Sequence, residues 1–463
     1  MSKEKKEEAV WNLYDAAEKK ACEELATGYK DFISRCKTER ESVKEIVQQA
    51  KAQGYEDLAD IVREGKTVKP GMKIYTAFMK KAVAMFHIGT DPLEKGLAIL
   101  GAHIDTCRLD VKQNPLYEED GLTYMDTHYY GGIKKYQWVA LPLALHGTVV
   151  KKDGSVLDVS IGEKEDDPVF CVTDLLIHLA EEQMKKNAAK VIEGEKLDVL
   201  VGTLPLKDEE KDAVKAGVKK LLQDTYGIEE EDFLSAELTL VPAGKARDMG
   251  FDRSMVLGYG QDDRVCSYTS LVAMLEHEVK GKTACCLLVD KEEIGSVGAT
   301  GMQSRFFENA LAEVMNAMGD YSELKLRRAL QNSKMLSSDV TSGFDALYAD
   351  AFDKKNVARL GGGMAFNKFT GHKGKSGAND ASAEYLGEIR NMMAKHNVHF
   401  QMSELGRVDL GGGGTIAYIM ALYGMQVIDS GIPVLSMHAP WEVTSKVDIY
   451  ETKKGYLAFL QEA

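Results

Sequence analysis

Leu287-Leu288-Val289-Asp290-Lys291-Glu292-Glu293-Ile294-Gly295-Ser296 runs from an apolar segment straight into an acidic turn. An uninterrupted apolar run of this kind reads as a strand buried on both faces of a sheet. Two adjacent glutamates at its end repel each other unless a cation or a proton lies between them. The stretch is therefore either a solvated turn or a site for a metal ion and a base. The rest of the chain decides between the two.

Working outward, the same pattern recurs. Gly96-Leu-Ala-Ile-Leu-Gly-Ala-His-Ile-Asp105 is an apolar run that ends in His103-x-Asp105. Residues two apart on a strand share a face, so this His and Asp emerge together. In an α/β sheet, chemistry collects at such strand ends. Gly258-Tyr-Gly-Gln-Asp262-Asp263-Arg264 precedes a helix-like run from Cys266. Carboxylates there meet free N–H groups and the helix dipole, but two of them exceed what a cap needs. Lys334–Asp339 is strand-like and ends on an acid, and Ile432–His438 is a strand ending in a histidine. Strands alternating with helices over residues 75–110 and 238–463 argue for a largely parallel α/β core covered on both faces.

Elsewhere the texture differs. Residues 3–65 carry apolar positions at helical spacing and read as one or two amphipathic helices, and a further helix is expected over Thr76–Phe86. Residues 113–236 alternate aromatic and β-branched residues between Gly and Asp-Gly turns, then become highly charged. They read as an inserted domain of mixed β and α character. Residues 1–112 and 237–463 would then form one discontinuous catalytic domain. Helices are further expected over Phe306–Met318, Ala381–His396 and Ile416–Tyr423, with a strand at Val398–Met402. Gly411–Gly414 opens the helix over Ile416–Tyr423. It could cradle an anion but lacks the Lys-Ser/Thr of a phosphate-binding loop.

Composition excludes several classes. The chain has 463 residues, too many for one simple core, and a net charge of −14, which argues against a nucleic-acid partner. No apolar run approaches the ~20 residues of a membrane span. The N-terminal stretch is charged throughout and has no secretory apolar region. Seven scattered cysteines without a C-x-x-C fit reduced thiols rather than a disulfide framework. The expected location is cytoplasmic.

The metal-type residues at apolar-run ends are His103, Asp262, Glu293, Asp339 and His438. This mixed nitrogen and oxygen set suits two divalent ions such as zinc, cobalt or manganese. One bridging carboxylate, with one His and one carboxylate on each ion, uses all five. Glu292 is left over beside the site, where a water needs a proton acceptor.

His103-x-Asp105, Asp262-Asp263, Glu292-Glu293, Ser338-Asp339 and Ser436-Met437-His438 together resemble the motif set of the aspartyl aminopeptidase and vacuolar aminopeptidase I family, co-catalytic zinc metallo-aminopeptidases. The resemblance spans about residues 97–442 and keeps the motif order. It implies a three-layer α/β metallo-aminopeptidase core interrupted by a β-rich dimerisation domain, and a homo-oligomer, a tetrahedral dodecamer built from dimers. It also implies residue roles. Asp262 would bridge two metals, His103 and Asp339 would complete one site, and Glu293 and His438 the other. Asp105 would orient His103, and Glu292 would be the general base and acid. His178 resembles a histidine that reaches a neighbouring subunit's active site, although an ordinary helix histidine fits that position equally. Lys368 resembles a lysine of the pocket for an acidic side chain.

The chain departs from the family pattern at Thr106-Cys107-Arg108, where aspartyl aminopeptidases usually have Ser-Pro, and at Asp262-Asp263-Arg264, where Asp-Asn-Leu is usual. The loop Gly371–Gly377 looks longer than in the acid-specific enzymes. The implied reaction is hydrolysis of the N-terminal residue, neutral or acidic, from peptides by a water between two zinc ions, with Glu292 taking its proton. The rival readings are a metal-dependent amidohydrolase or deacetylase of a small molecule, and a scaffold with structural metals. An oxygen-rich donor set with a spare glutamate disfavours the scaffold.

Overall fold

The apolar run before Asp290 is a strand, Ala284–Val289, with every residue buried. The computed structural model describes residues 9–463. Two units emerge from the chain's internal contacts. One comprises the described residues through Asp105, Ala246–Met437 and Glu442–Ala463; the other comprises Thr106–Lys245 and His438–Trp441.

The first unit is built on a mixed sheet of nine strands among the described residues. In chain order these are β1 (Glu56–Asp57), β2 (Lys73–Phe78), β3 (Ala82–His87), β4 (Ala98–His103), β5 (Ala284–Val289), β6 (Lys334–Ser338), β7 (Met364–Asn367), β8 (Phe400–Ser403) and β9 (Gln426–Gly431). Their spatial order is β1-β2-β3-β5-β4-β6-β9-β7-β8. The centre, β5-β4-β6-β9, is parallel throughout. All four strands therefore end on one side of the sheet. Val289 lies opposite His103 in register, which brings the Glu292 turn and the His103 end to the same edge.

Successive side chains of a strand face opposite ways. Ala98, Leu100 and Ala102 pack with Cys286 and Leu288 on one face, while Ile99 packs with Cys285, Leu287 and Val289 on the other. Each face is covered by helices. On the first lie α1 (Ala16–Arg35), α2 (Glu39–Ala52), α3 (Gln261–Glu276), α5 (Ala383–Lys395) and α6 (Lys446–Glu462), and on the second lies α4 (Phe306–Ala317). This is the three-layer α/β arrangement expected from the alternating strands and helices. Both α1 and α2 begin in capping boxes, Asp15 with Glu18 and Thr38 with Glu41, which satisfy the first free amides of each helix.

Several local expectations need correction. Thr76–Phe86 is no helix but parts of two antiparallel strands, β2 and β3. Met79 and Lys80 turn the chain with positive φ, so no Gly or Pro marks the hairpin. Over residues 3–65 the described part contains four helices, Val10–Leu13, α1, α2 and Leu58–Glu64, rather than one or two. Residues 3–8 of that expectation lie outside the described residues. The expected strand Ile432–His438 contracts to Pro433–Leu435. It joins a small five-stranded sheet with Arg247–Met249, Met255–Gly258, Glu442–Ser445 and Thr341–Ser342. The helix expected over Ile416–Tyr423 shortens to Ala417–Ala421.

The second unit contains a seven-stranded sheet whose pairings are all antiparallel. Its strand Arg108–Glu119 begins before residue 113, and Ala236–Pro242 pairs with both Leu143–Val150 and Arg108–Glu119. Those pairings carry this unit outward to Thr106 and Lys245, past the 113–236 expected of an insertion. Among the described residues, no helix of either unit is long and apolar enough to cross a membrane.

Candidate metal centre

His103 is the last residue of β4 and is buried. Its Nδ1 lies 3.1 Å from the Asp105 backbone oxygen and 3.3 Å from Asp105 Oδ1. A proton donated there from Nδ1 leaves the lone pair on Nε2. That nitrogen faces Asp262 Oδ1 at 3.2 Å, and Glu292 Oε2 and Asp339 Oδ1 at 3.9 Å each. His103, Asp262 and Asp339 each offer a ligand atom within 4.8 Å of the others.

The helix α3 supplies Asp262, and its first turn is irregular. Asp262 and Asp263 have non-helical backbone angles and their shared peptide is cis. Gly260, just before, has φ of 70°; a Cβ there would come within 2.0 Å of Arg264 Nη2. Only glycine lets the buried guanidinium pack against this turn. Asp263 accepts the His103 N–H at 3.3 Å, and Ser267 donates to the His103 carbonyl at 2.7 Å. Glu442 accepts the Asp262 N–H at 3.1 Å. Glu442 escaped the reading of the sequence. The available signal was a glutamate opening a strand four residues after His438.

Asp105 holds the other wall. Its Oδ1 accepts the Glu292 N–H at 3.1 Å and its Oδ2 the Glu293 N–H at 3.2 Å. Asp290, also unassigned in the sequence reading, fixes the root of the same turn. It accepts the Lys291 N–H at 2.8 Å and the Thr300 hydroxyl at 2.6 Å. Burial pushes its carboxyl up to about 6, with the charges of Glu39 and Asp105 adding to the rise. Lys291 and Gly295, both with positive φ, bracket the Glu292–Ile294 turn.

The electrostatics call for a cation. Burial, then the charges of Asp263 and Asp262, raise Asp339 well above the ordinary carboxylate range. Burial likewise raises Asp263, with Asp262 adding to it. Burial opposes a charged His103, but hydrogen bonds to Asp105 and Asp262 and the Glu292 charge outweigh it and raise its pKa well above normal. Carboxylates and imidazole gathered in a low-dielectric pocket compete for protons in this way until a divalent ion supplies the missing charge. One histidine and two carboxylates are a donor set that zinc accepts. The residues fit a resident metal.

In the second unit, His438 has φ of 64°, an uncommon backbone for a non-glycine residue. Its Nδ1 lies 2.9 Å from the Gly132 carbonyl oxygen, which assigns the donor proton to Nδ1 and the lone pair to Nε2. Cys107 is buried, and it and His438 offer donor atoms within 4.8 Å of each other. His178 sits in a short 3₁₀ turn, Ile177–Leu179, and is exposed. Lys368 follows β7, is half-exposed, and its Nζ lies 3.9 Å from Asp380 Oδ1.

Comparison with known proteins gives a consistent picture. Residues 32–460 match the family described as aminopeptidase I zinc metalloprotease (M18). A curated Clostridium acetobutylicum relative, a probable M18 family aminopeptidase 1, is 59% identical over 452 residues, covering 97% of each chain. The crystal structure of an M18 aminopeptidase from Thermotoga maritima superposes with a TM-score of 0.94 at 41% identity, covering 98% of this chain and 99% of that one. A Saccharomyces cerevisiae structure solved as a dodecamer shares the fold at 20% identity, with a TM-score of 0.75 over 94% of this chain and 96% of that one.

Proposed function

The chain belongs to the aminopeptidase I zinc metalloprotease (M18) family and is an aminopeptidase, and from that premise we propose how its residues divide the work. His103, Asp262 and Asp339, together with Glu293 and His438, are the residues that would hold the metal. Bound divalent ions supply Lewis acidity, polarising the scissile carbonyl and making water a stronger acid. The family description supports zinc as the metal, and two ions per subunit is the reading that uses all five donor residues.

The observation that carries the assignment is the convergence of Asp262, Glu292 and Asp339 on His103 Nε2. Glu292 is the carboxylate left outside the ligand set. Its side chain keeps 17% of its accessibility while His103 keeps 1%, so it faces the space a substrate enters. Glu292 takes the proton of the attacking water and hands it to the leaving amine. Asp105 holds His103 in the tautomer that presents Nε2, and positions Glu292 through its amide. Asp263 and Glu442 hold the irregular turn that aims Asp262.

Lys368 would meet an acidic N-terminal side chain. Asp380 already answers part of its charge, which supports acceptance of neutral as well as acidic residues. For the second unit we propose oligomerisation with further copies of the chain, ultimately a dodecamer, with His178 reaching a neighbour's site. Leu175, Leu176, Ile177, Leu179 and Met184 are all exposed around it, a patch that water disfavours.

The test is a panel of aminoacyl-p-nitroanilides with neutral and acidic residues, before and after chelation and zinc restoration. Chelator-sensitive hydrolysis restored by zinc is expected. Hydrolysis of N-acylated substrates alone would overturn the reading.

A further inference from the structure

Cys107 follows the His103-x-Asp105 motif at the position where the related aspartyl enzymes usually carry proline. Proline offers no donor atom, whereas a thiol does. Cys107 is 2% exposed and immediately precedes the strand Arg108–Glu119. Its Sγ and a ring nitrogen of His438 lie within 4.8 Å of each other. Two ligands of one tetrahedral zinc, with Zn–S of about 2.3 Å and Zn–N of about 2.0 Å, stand roughly 3.6 Å apart. A small side-chain adjustment within that bound is enough for both to reach a single ion. The ring is also prepared for it, since Nδ1–H donates to the Gly132 carbonyl and the Nε2 lone pair is left to coordinate. Among the described residues, Cys107 is the one cysteine of the chain that falls within a group of metal-ligand donors.

We propose that Cys107 Sγ is a ligand of the ion that His438 holds. This rests on the reading of His438 as a metal ligand. On coordination the thiol gives its proton to solvent and the sulfur lone pair forms the bond to the ion, with no change of oxidation state. A sulfur donor on an otherwise nitrogen and oxygen site shifts its preference towards zinc and cobalt and away from manganese and magnesium. This chain would therefore hold its His438-side ion more selectively than relatives with proline at the same position.

The experiment uses the full chain loaded with cobalt in place of zinc, its metal content measured. The expected result is a sulfur-to-cobalt charge-transfer band in the near ultraviolet. It is lost in Cys107→Ser and Cys107→Pro and kept in Cys266→Ser, a thiol control on α3. The zinc-over-manganese preference of Cys107→Pro should fall by about 10-fold or more, the scale on which single supporting groups move metal affinity. A fully loaded native chain without the band overturns the inference whatever the variants do, as does a band that survives Cys107→Ser. His438→Ala tests the underlying reading separately. It should lose one cobalt per chain, and retention of both ions with an unchanged spectrum would overturn the assignment of His438, and the inference with it.

Discussion

The Asp105 carboxylate accepts the backbone N–H of Glu292 at 3.1 Å, across 187 residues of sequence. The end of β4 and the turn after β5 are thereby tied at the point where their side chains meet His103. The tie makes Asp105 a positioning residue for two partners at once, an imidazole and a peptide turn.

Asp105→Asn keeps the shape but replaces an oxygen that accepts with a nitrogen that donates towards an amide. Zinc affinity should fall by about 10–100-fold, the usual effect of removing such a supporting partner. Metal titration by competition with a chromophoric chelator reads this directly, and unchanged affinity would contradict the role.

Glu292→Gln should lower kcat/KM by about 10²–10⁴-fold, the scale of general acid–base catalysis. Metal content should stay at the native level, because Glu292 is not placed among the ligands. Hydrolysis rates combined with elemental analysis separate this outcome from metal loss.

Gly260→Ala should destabilise the fold by well over ~1 kcal/mol, since alanine is strained at positive φ and its Cβ would meet the Arg264 guanidinium. Denaturant unfolding measures it. The effect on activity should exceed that of a remote core change such as Leu311→Ala on α4. That buried side chain should cost about 2–5 kcal/mol while leaving the ligand geometry intact.

Acid should weaken the fold through His277. It is buried, and neither ring nitrogen has a hydrogen-bond partner. Burial pushes its pKa down to about 4 from 6.5, with His87 and Lys280 adding to the effect. The unfolded chain binds this proton more readily than the native one. The contribution is therefore complete above about pH 6.5 and is lost as the pH falls towards about 4. The shift corresponds to up to about 3 kcal/mol. Unfolding free energies measured across that window should slope downward with acid, and His277→Leu should flatten the slope.

Ile177→Asp places a charge in the exposed apolar patch of the second unit. Assembly should shift towards smaller species by sedimentation, with hydrolysis by the residual oligomer reported in parallel. An unchanged distribution would place the interface elsewhere.

Much of the centre was legible in the sequence for one reason. A parallel strand in a covered sheet must be apolar along its length, so polar residues at its end stand out. His103, Glu292 and Asp339, which the structure brings together, stand out in this way. The hairpin at Lys73–His87 did not, because its turn uses Met79 and Lys80 at positive φ instead of glycine, and its alanines and methionines fit helical spacing as well. Asp290 lay in plain view yet had no partner in the sequence, as its role depends on Thr300. Glu442 was invisible because it acts on Asp262 across 180 residues.

The linear pattern by itself determined that this chain is an α/β protein with acidic and histidine-bearing strand ends, since burial on both faces dictates which residue types a strand tolerates. Only the tertiary structure decided that Asp262 faces Nε2 of His103 while Asp263 takes its amide, and that Asp105 grips both amides of the Glu292-Glu293 turn. Those choices turn on hydrogen-bond directions a few ångströms long between segments far apart in the chain, which no residue spacing encodes.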